Sequence, residues 1–144
     1  MASNFKRANA TVSAEADAVC ALADGGFLEI YTGRQPATAD TPIGVRSQLN
    51  LATLRFATPA FGPATAGVAL ANAIDVDPRA YATGQATWFR VFRRGHTPGT
   101  GDEPDLRVWD GTIATTDADL NLNSTAIRMN AIVTVTTLTY TATK

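Results

Sequence analysis

Hydrophobic and polar residues alternate in short runs along most of this 144-residue chain. A period of two, with β-branched and aromatic residues between Gly, Pro and Asp, is typical of half-buried strands. Seven runs fit this description: FLEIYT, SQLNLATLRFA, GVALANAI, GQATWFRVF, DLRVWDGTI, ADLNLN and AIVTVTTLTYTAT. So regular a series of short strands predicts an all-β fold, a single-domain β-sandwich with jelly-roll-like topology.

One segment near the N-terminus has a helical pattern instead. In TVSAEADAVCALADGG, Ser13 can cap a helix, small apolar residues recur at spacings of three and four, and the GG pair is a natural stop. The sequence therefore predicts an N-terminal arm over residues 1–10. It also predicts that the domain, residues 11–144, begins with a helix over residues 12–24.

Composition and charge limit the classes of partner. Charged residues make up 17% of the chain and the formal net charge is −1, whereas about a quarter of residues are charged in a typical domain. This balance predicts no nucleic-acid partner. No apolar run reaches the ~18 residues of a membrane span, so no membrane partner is expected. A surface with so little charge favours association with other copies or other proteins.

The residue types that carry chemistry occur without companions. Cys20 is the only cysteine and His96 the only histidine, so neither a thiol metal site nor a catalytic triad is indicated. The DADLNLN run lacks the glycine and glutamate that a calcium loop requires. We therefore predict no catalytic residue, no metal ligand and no cofactor. His96, in the Gly- and Pro-rich run RGHTPGTGDEP, is interpreted as a solvated loop histidine, and the protein is predicted not to be an enzyme.

An arginine cluster at the end of the fourth predicted strand is the main interaction candidate. Arg90, Arg93 and Arg94 could hold an acidic partner surface, or they could be an ordinary strand exit with the charged groups in water. Three acidic residues follow in the loop: Asp102, Glu103 and Asp105. They could fold back to neutralise the arginines or pair with a neighbouring subunit.

Five motifs are similar to a family of small virion structural proteins encoded by tailed bacteriophages and prophages. They are LEIYTGRQPATAD (28–40), PAFG (59–62), GVALANAI (67–74), TGQATWFRVF (83–92) and DADLNLN (117–123). They occur in order across roughly residues 10–140. The chain departs from the family pattern between Arg93 and Leu106, where RGHTPGTGDEP looks like an insertion, so no family role is transferred to His96.

The resemblance implies a protein of the phage particle, made in the cytoplasm of the host bacterium. The specific expectation is a capsid decoration (cement) protein that binds the major capsid protein and copies of itself as a homo-oligomer, for which a trimer is the candidate. The arm supplies an aromatic anchor beside two charges, so Phe5, Lys6 and Arg7 join Arg90, Arg93 and Arg94 as predicted partner-binding residues.

Two alternatives remain open from the sequence. One is a tail or head–tail joining component, which differs from a decoration protein in symmetry and copy number. The other is a carbohydrate- or receptor-binding module, in which Trp88, Trp109 and Tyr31 would serve as stacking platforms.

Overall fold

The computed structural model describes residue 4 and residues 6–142 of the chain. Its helix and strands are α1 (Asn9–Ala21), β1 (Phe27–Tyr31), β2 (Asn50–Arg55), β3 (Val68–Leu70), β4 (Gly84–Gln85), β5 (Trp88–Phe92), β6 (Arg107–Ala114), β7 (Leu120–Leu122), β8 (Ala126–Ile127) and β9 (Val135–Thr141). A single 3₁₀ turn, Pro104–Leu106, precedes β6.

Seven of the strands form one curled sheet in the order β2-β1-β5-β6-β7-β9-β3, and β4 pairs with β8 in a second, two-stranded sheet. All pairings are antiparallel except the short parallel pairing of β6 with β7. The predicted mostly-β class, with one short helix, is confirmed. Each of the seven predicted strand runs contains a strand, and the GQATWFRVF run contains two, β4 and β5.

The predicted boundaries of the helix were wrong at both ends. The helix begins at Asn9, inside the predicted arm, and ends at Ala21. Ser13 lies within the helix and does not cap it; its hydroxyl accepts a hydrogen bond from the backbone N–H of Gly67. That contact fastens α1 to the turn before β3, so the tertiary packing of the helix overrides the local capping signal.

The inner face of the curled sheet holds the apolar core. Leu28 and Ile30 of β1 and Phe89 and Val91 of β5 point to this face and are fully buried. In the β1–β5 register Leu28 pairs with Val91 and Ile30 pairs with Phe89, so the four side chains form one contiguous patch. The helix covers another part of the core with its small buried face: Val12, Ala16 and Cys20.

The outer face of the same strands is also buried, which the alternating pattern did not predict. All five residues of β5 and four of the five residues of β1 are buried. The segments 33–49 and 93–106 fold over this face and contribute most of its cover. Two strands of the sheet therefore lie between an apolar core on one side and a loop-covered polar layer on the other.

The free edge of β2 is covered by the segment that leads away from β3. The backbone N–H of Asp75 donates to the carbonyl of Arg55, and that of Tyr81 donates to the carbonyl of Leu51. The carboxylate of Asp77 accepts from the backbone N–H of Thr53. Covering an edge in this way removes a row of unpaired backbone groups that could otherwise pair with another chain.

Gly26 allows β1 to begin directly against β5. A Cβ placed on Gly26 would overlap the carbonyl oxygen of Phe92, whereas one on Gly62 would meet only the Leu70 oxygen, at 3.8 Å. We expect Gly26→Ala to lower the free energy of unfolding by about 2 kcal/mol or more, because backbone has to move. The control Gly62→Ala should change it by less than about 1 kcal/mol. Chemical denaturation measures both, and equal effects would contradict this account of Gly26.

Candidate functional site

A row of polar side chains crosses the outer face of the sheet on four neighbouring strands. The strand registers place Thr53 of β2 opposite Glu29 of β1, Glu29 opposite Arg90 of β5, and Arg90 opposite Asp110 of β6. Residues in register on adjacent strands share a face and lie close together. Glu29 and Arg90 are both completely shielded from solvent, so this row sets two buried charges of opposite sign side by side.

Arg90 is held by a carboxylate on each side. Its Nε and Nη2 donate to the two carboxylate oxygens of Asp110, at 2.6 and 2.9 Å. Its Nη1 donates to Asp102 at 3.1 Å and to the carbonyl of Thr41 at 2.9 Å. Burial alone would lower the pKa of Arg90, but Asp110 and Asp102 outweigh it and raise that pKa. The guanidinium is therefore a permanent positive charge inside the domain.

This geometry corrects the prediction that Arg90 binds a partner. The guanidinium is fully buried and donates to groups of its own chain, so it is not presented to another protein. Its neighbours in the sequence differ, because Arg93 and Arg94 follow the end of β5 and are exposed.

Asp102 connects the two segments that cover the outer face. Its Oδ2 accepts from the backbone N–H of Ile43 at 2.8 Å, and both of its oxygens accept from Arg107. Burial would raise the pKa of Asp102, but the hydrogen bonds from Arg107 and Ile43 lower it below its ordinary value. The acidic loop thus folds back onto the arginines, as one of the two sequence interpretations held, with Asp102 as the residue that pairs with Arg90.

His96 lies between two glutamates. Its Nε2 is 2.6 Å from Glu29 and its Nδ1 is 2.7 Å from Glu103, and its ring stacks on Phe92 with the centroids 3.7 Å apart. Both ring nitrogens donate only in the protonated ring. Burial would lower the pKa of His96, but the two carboxylates raise it above its ordinary value. The structure therefore holds His96 as an imidazolium.

The interpretation of His96 as a solvated loop histidine was wrong. Its side chain has no exposed surface, because Glu29 inside the sheet supplies a buried anion that draws the loop inward. The ring also has no nitrogen left to accept a proton from a substrate. Arrangements in which a histidine acts as a general base require such a nitrogen within reach of the reacting group.

Glu29 is held by several hydrogen bonds in addition to its ion pair with His96. Besides His96, it accepts from the backbone N–H of Gly99 at 2.8 Å, from Asn50 Nδ2 at 2.7 Å and from the hydroxyl of Thr53. These donors come from β2 and from the tip of the 93–106 segment. A single carboxylate in the centre of β1 therefore fixes both the neighbouring strand and the loop above it.

Glu103 completes the ion pair from the loop side. Its Oε1 accepts from the backbone N–H of Thr97 at 3.0 Å. Burial would raise the pKa of Glu103, but His96 and Thr97 lower it to about 2. Glu103 therefore links two parts of the loop to each other, and His96 links the loop to Glu29 of the sheet.

A cleft of about 550 Å³ opens beside this polar layer. Its floor includes Tyr31 and Asn50, one wall is the segment 98–102, and the opposite wall is formed by residues around Ile43. Asn50 Oδ1 is buried and has no hydrogen-bond partner within the part of the chain that the structure describes. Three apolar residues at the rim are exposed: Val45 by 86%, Leu49 by 48% and Tyr81 by 48%.

None of the other predicted partner-binding residues that the structure describes lines the cleft. Lys6 is exposed and Arg7 forms an ion pair with Glu15 at 2.6 Å, both near the start of α1. The guanidinium of Arg94 lies against Gly25, beyond the other end of the helix. Since a 13-residue helix is about 20 Å long, the structure separates the arm from Arg94. Phe5 lies outside the described residues.

Of the central polar residues of the site, Glu29 and Asp110 were missed in the sequence and Arg90 was assigned to a partner, although a signal was present. Glu29 and Arg90 each occupy the middle of a strand that is otherwise apolar, in FLEIY and WFRVF, and Asp110 follows the apolar pair Val108 and Trp109 in β6. These are two acidic residues and one arginine. A charge in such a position is costly to bury alone, so charges of opposite sign favour mutual pairing. What the sequence did not give was the register that brings them into one row.

No protein-family model matches this chain, and no curated protein or solved structure matches it either. Within residue 4 and residues 6–142, no group of three or more His, Cys, Asp or Glu side chains is arranged to hold a metal ion. No helix in that same part of the chain is both long and apolar enough to cross a membrane. The arrangement that the site does offer is a layer of internally paired charges beside an apolar-rimmed cleft.

The imidazolium of His96 predicts a specific pH dependence. A pKa raised in the folded state means that the stability from this group is complete below about pH 6.5, the unfolded value. It is lost as the pH rises through the folded pKa. We therefore expect His96→Gln to destabilise the protein most at pH 6, by about 3–5 kcal/mol for a broken buried pair, and progressively less at alkaline pH.

Urea denaturation between pH 5.5 and pH 9.5 checks this expectation, with Arg93→Gln as the matched control. Arg93 is an exposed cation at the start of the same loop, and its substitution should have a small, pH-independent effect. A cost of His96→Gln that stayed constant over the whole pH range would show that His96 is held as a neutral ring.

Proposed function

We propose that this protein is a non-enzymatic structural protein of a bacteriophage particle, and more specifically a decoration protein that binds the major capsid protein and stabilises the shell. The five ordered motifs that resemble phage virion proteins support the phage context. The observation that carries the binding role is the use of charge in the fold: the buried side chains of Glu29, Arg90 and His96 are paired within the domain, while apolar side chains remain on the surface.

Two groups of exposed apolar residues support an assembly role. Val45, Leu49 and Tyr81 surround the cleft, and a second group, with Met129 and Ile132, lies near β8. Scattered exposed apolar residues are ordinary, but groups of them beside a cleft are typical of binding surfaces. With charged residues at only 17% of the chain, such a surface suits close packing against a repetitive shell.

The carbohydrate-binding alternative is less well supported by the geometry. Trp88 is fully buried and stacks on Tyr31 with the ring centroids 4.5 Å apart. Trp109 packs into the core against Phe61 and Tyr140. Aromatic platforms for sugars have to present a ring face to solvent, and Trp88 does not present one.

We also infer that the curled sheet forms a sandwich-like body of jelly-roll type. Leu54 of β2 and Leu138 of β9 belong to the same core cluster, so the sheet encloses one core between strands that are far apart in its order. Two backbone bridges, Arg55 to Asp75 and Asp77 to Val133, link the two sides of this body. A closed body of this kind tolerates loops at its surface without loss of the core.

The test is the number and position of copies in phage particles produced by the bacterial strain that carries the gene. Cryo-electron microscopy and quantitative mass spectrometry of purified particles measure them. We expect many copies arranged over the shell with the symmetry of the capsid. A few copies at a single vertex would instead establish the tail or head–tail joining alternative, and absence from the particles would refute the proposal.

Exposed arginines give a second prediction for particle binding. Replacing Arg93 and Arg94 together by Ala should weaken binding to shells about three- to tenfold at low salt, because each rim charge contributes a fraction of a kcal/mol up to about 1 kcal/mol. The effect should fade at high salt, where exposed charges are screened. The control is Arg34→Ala with Arg55→Ala, which removes two other exposed arginines. Equal weakening by both pairs would point to a nonspecific charge effect.

A further inference from the structure

The cleft beside the polar layer is already shaped before anything binds to it. Asp102 joins its two walls, through Ile43 on one side and through its own place in the 93–106 segment on the other. Gly99, in the second wall, donates to Glu29 of β1. A site whose walls are held by hydrogen bonds within the chain loses little conformational freedom on binding, which favours affinity.

The charge of the cleft limits what it can take. Asp102 is the ionisable acid among its lining residues, and its carboxylate is neutralised by Arg90 and Arg107. The tyrosines of the lining are Tyr31 and Tyr81, and burial, with the charge of Glu29, raises the pKa of Tyr31 so that it stays neutral. A charged occupant would lose water in this cleft without gaining an opposite charge.

The size of the cleft and its rim indicate a polymer segment. A volume of about 550 Å³ lies within the range of about 300–1,000 Å³ that is usual for ligand sites. Val45, however, is 86% exposed and would stay bare if a small molecule filled only the interior. An occupant that covers Val45 as well has to continue past the rim, as an extended chain does.

We propose that the cleft binds an extended, uncharged segment of a partner protein, which inserts one aromatic or large aliphatic side chain. The inserted side chain would contact Tyr31 and Leu49, and the adjoining backbone would pass over Val45. The identification of the partner as a capsid protein rests on the proposed function. The chemistry of the bound segment is argued from the cleft alone.

The first experiment measures the chemistry of the cleft directly. The full chain, labelled with ¹⁵N, is titrated with N-acetyl-phenylalaninamide and N-acetyl-leucinamide, and with N-acetyl-lysinamide and the amide of N-acetyl-glutamate as charged comparators. We expect saturable shifts of the Gly44, Gly99 and Gly101 amide signals with the two apolar probes, and at least about tenfold weaker binding of the charged probes. Equal binding of all four probes, or shifts centred elsewhere, would overturn the proposal.

Matched variants make the test specific to the rim. Val45→Ser with Leu49→Ser should weaken binding of the apolar probes about tenfold, since it removes exposed apolar surface that binding would cover. Met129→Ser with Ile132→Ser removes similarly exposed residues elsewhere and should leave probe binding unchanged. Thermal unfolding of both variants confirms that they fold. Equal weakening in the two variants would overturn the assignment to the cleft.

The same variants separate this inference from the proposed function. If the unaltered protein binds the apolar probes but is absent from phage particles, the cleft inference stands and the proposed function fails. If the protein decorates particles and the Val45→Ser, Leu49→Ser variant decorates them equally well, the proposed function stands and the cleft is not the docking surface.

Discussion

The outer half of this structure depends on the two buried charges that face each other in the middle of β1 and β5. Glu29 and Arg90 are fully shielded from water, and removing an ion from water costs several kcal/mol unless strong partners replace the water. Asp110, Asn50 and Thr53 come from neighbouring strands, but the other partners, His96, Gly99, Asp102 and Thr41, come from loops. The covering loops are thus fixed because the charges beneath them require it.

This requirement explains how a chain with few charged residues can still have ordered loops. The 93–106 segment contains several glycines and prolines and would be mobile if it depended on backbone alone. Instead, the imidazolium of His96 and the carboxylate of Asp102 fasten it to the sheet at separate points, and Glu103 closes the segment onto His96. The charges are used for internal order, and the surface that the loops create is largely neutral and partly apolar. A protein built in this way is suited to recognition by shape.

The sequence predicted the strands well and the polar layer poorly, for one physical reason. Alternation within FLEIY and WFRVF shows which residues share a face, but it assigns the face with Glu29 and Arg90 to solvent. Only the strand register and the return of the loop, contacts 67 and 70 residues apart in the case of Glu29, show that this face is covered. The helix boundaries were missed on a smaller scale because Ser13 serves a tertiary contact. Long-range pairing cannot be derived from local periodicity.

The His96 bridge also bears on how such a chain can change over evolutionary time. A descendant that lost residues 93–106 would retain Glu29 and Arg90 in its strands but lose His96, Gly99, Asp102 and Glu103. The carboxylate of Glu29 would then lie in the sheet without its charged partner. A descendant that lost Glu29 would leave the loop held through Asp102 alone. Each change by itself costs stability, so we expect the strand charges and the loop to change together. A chain with a shorter loop that keeps the carboxylate of LEIY needs other donors over that face of the sheet.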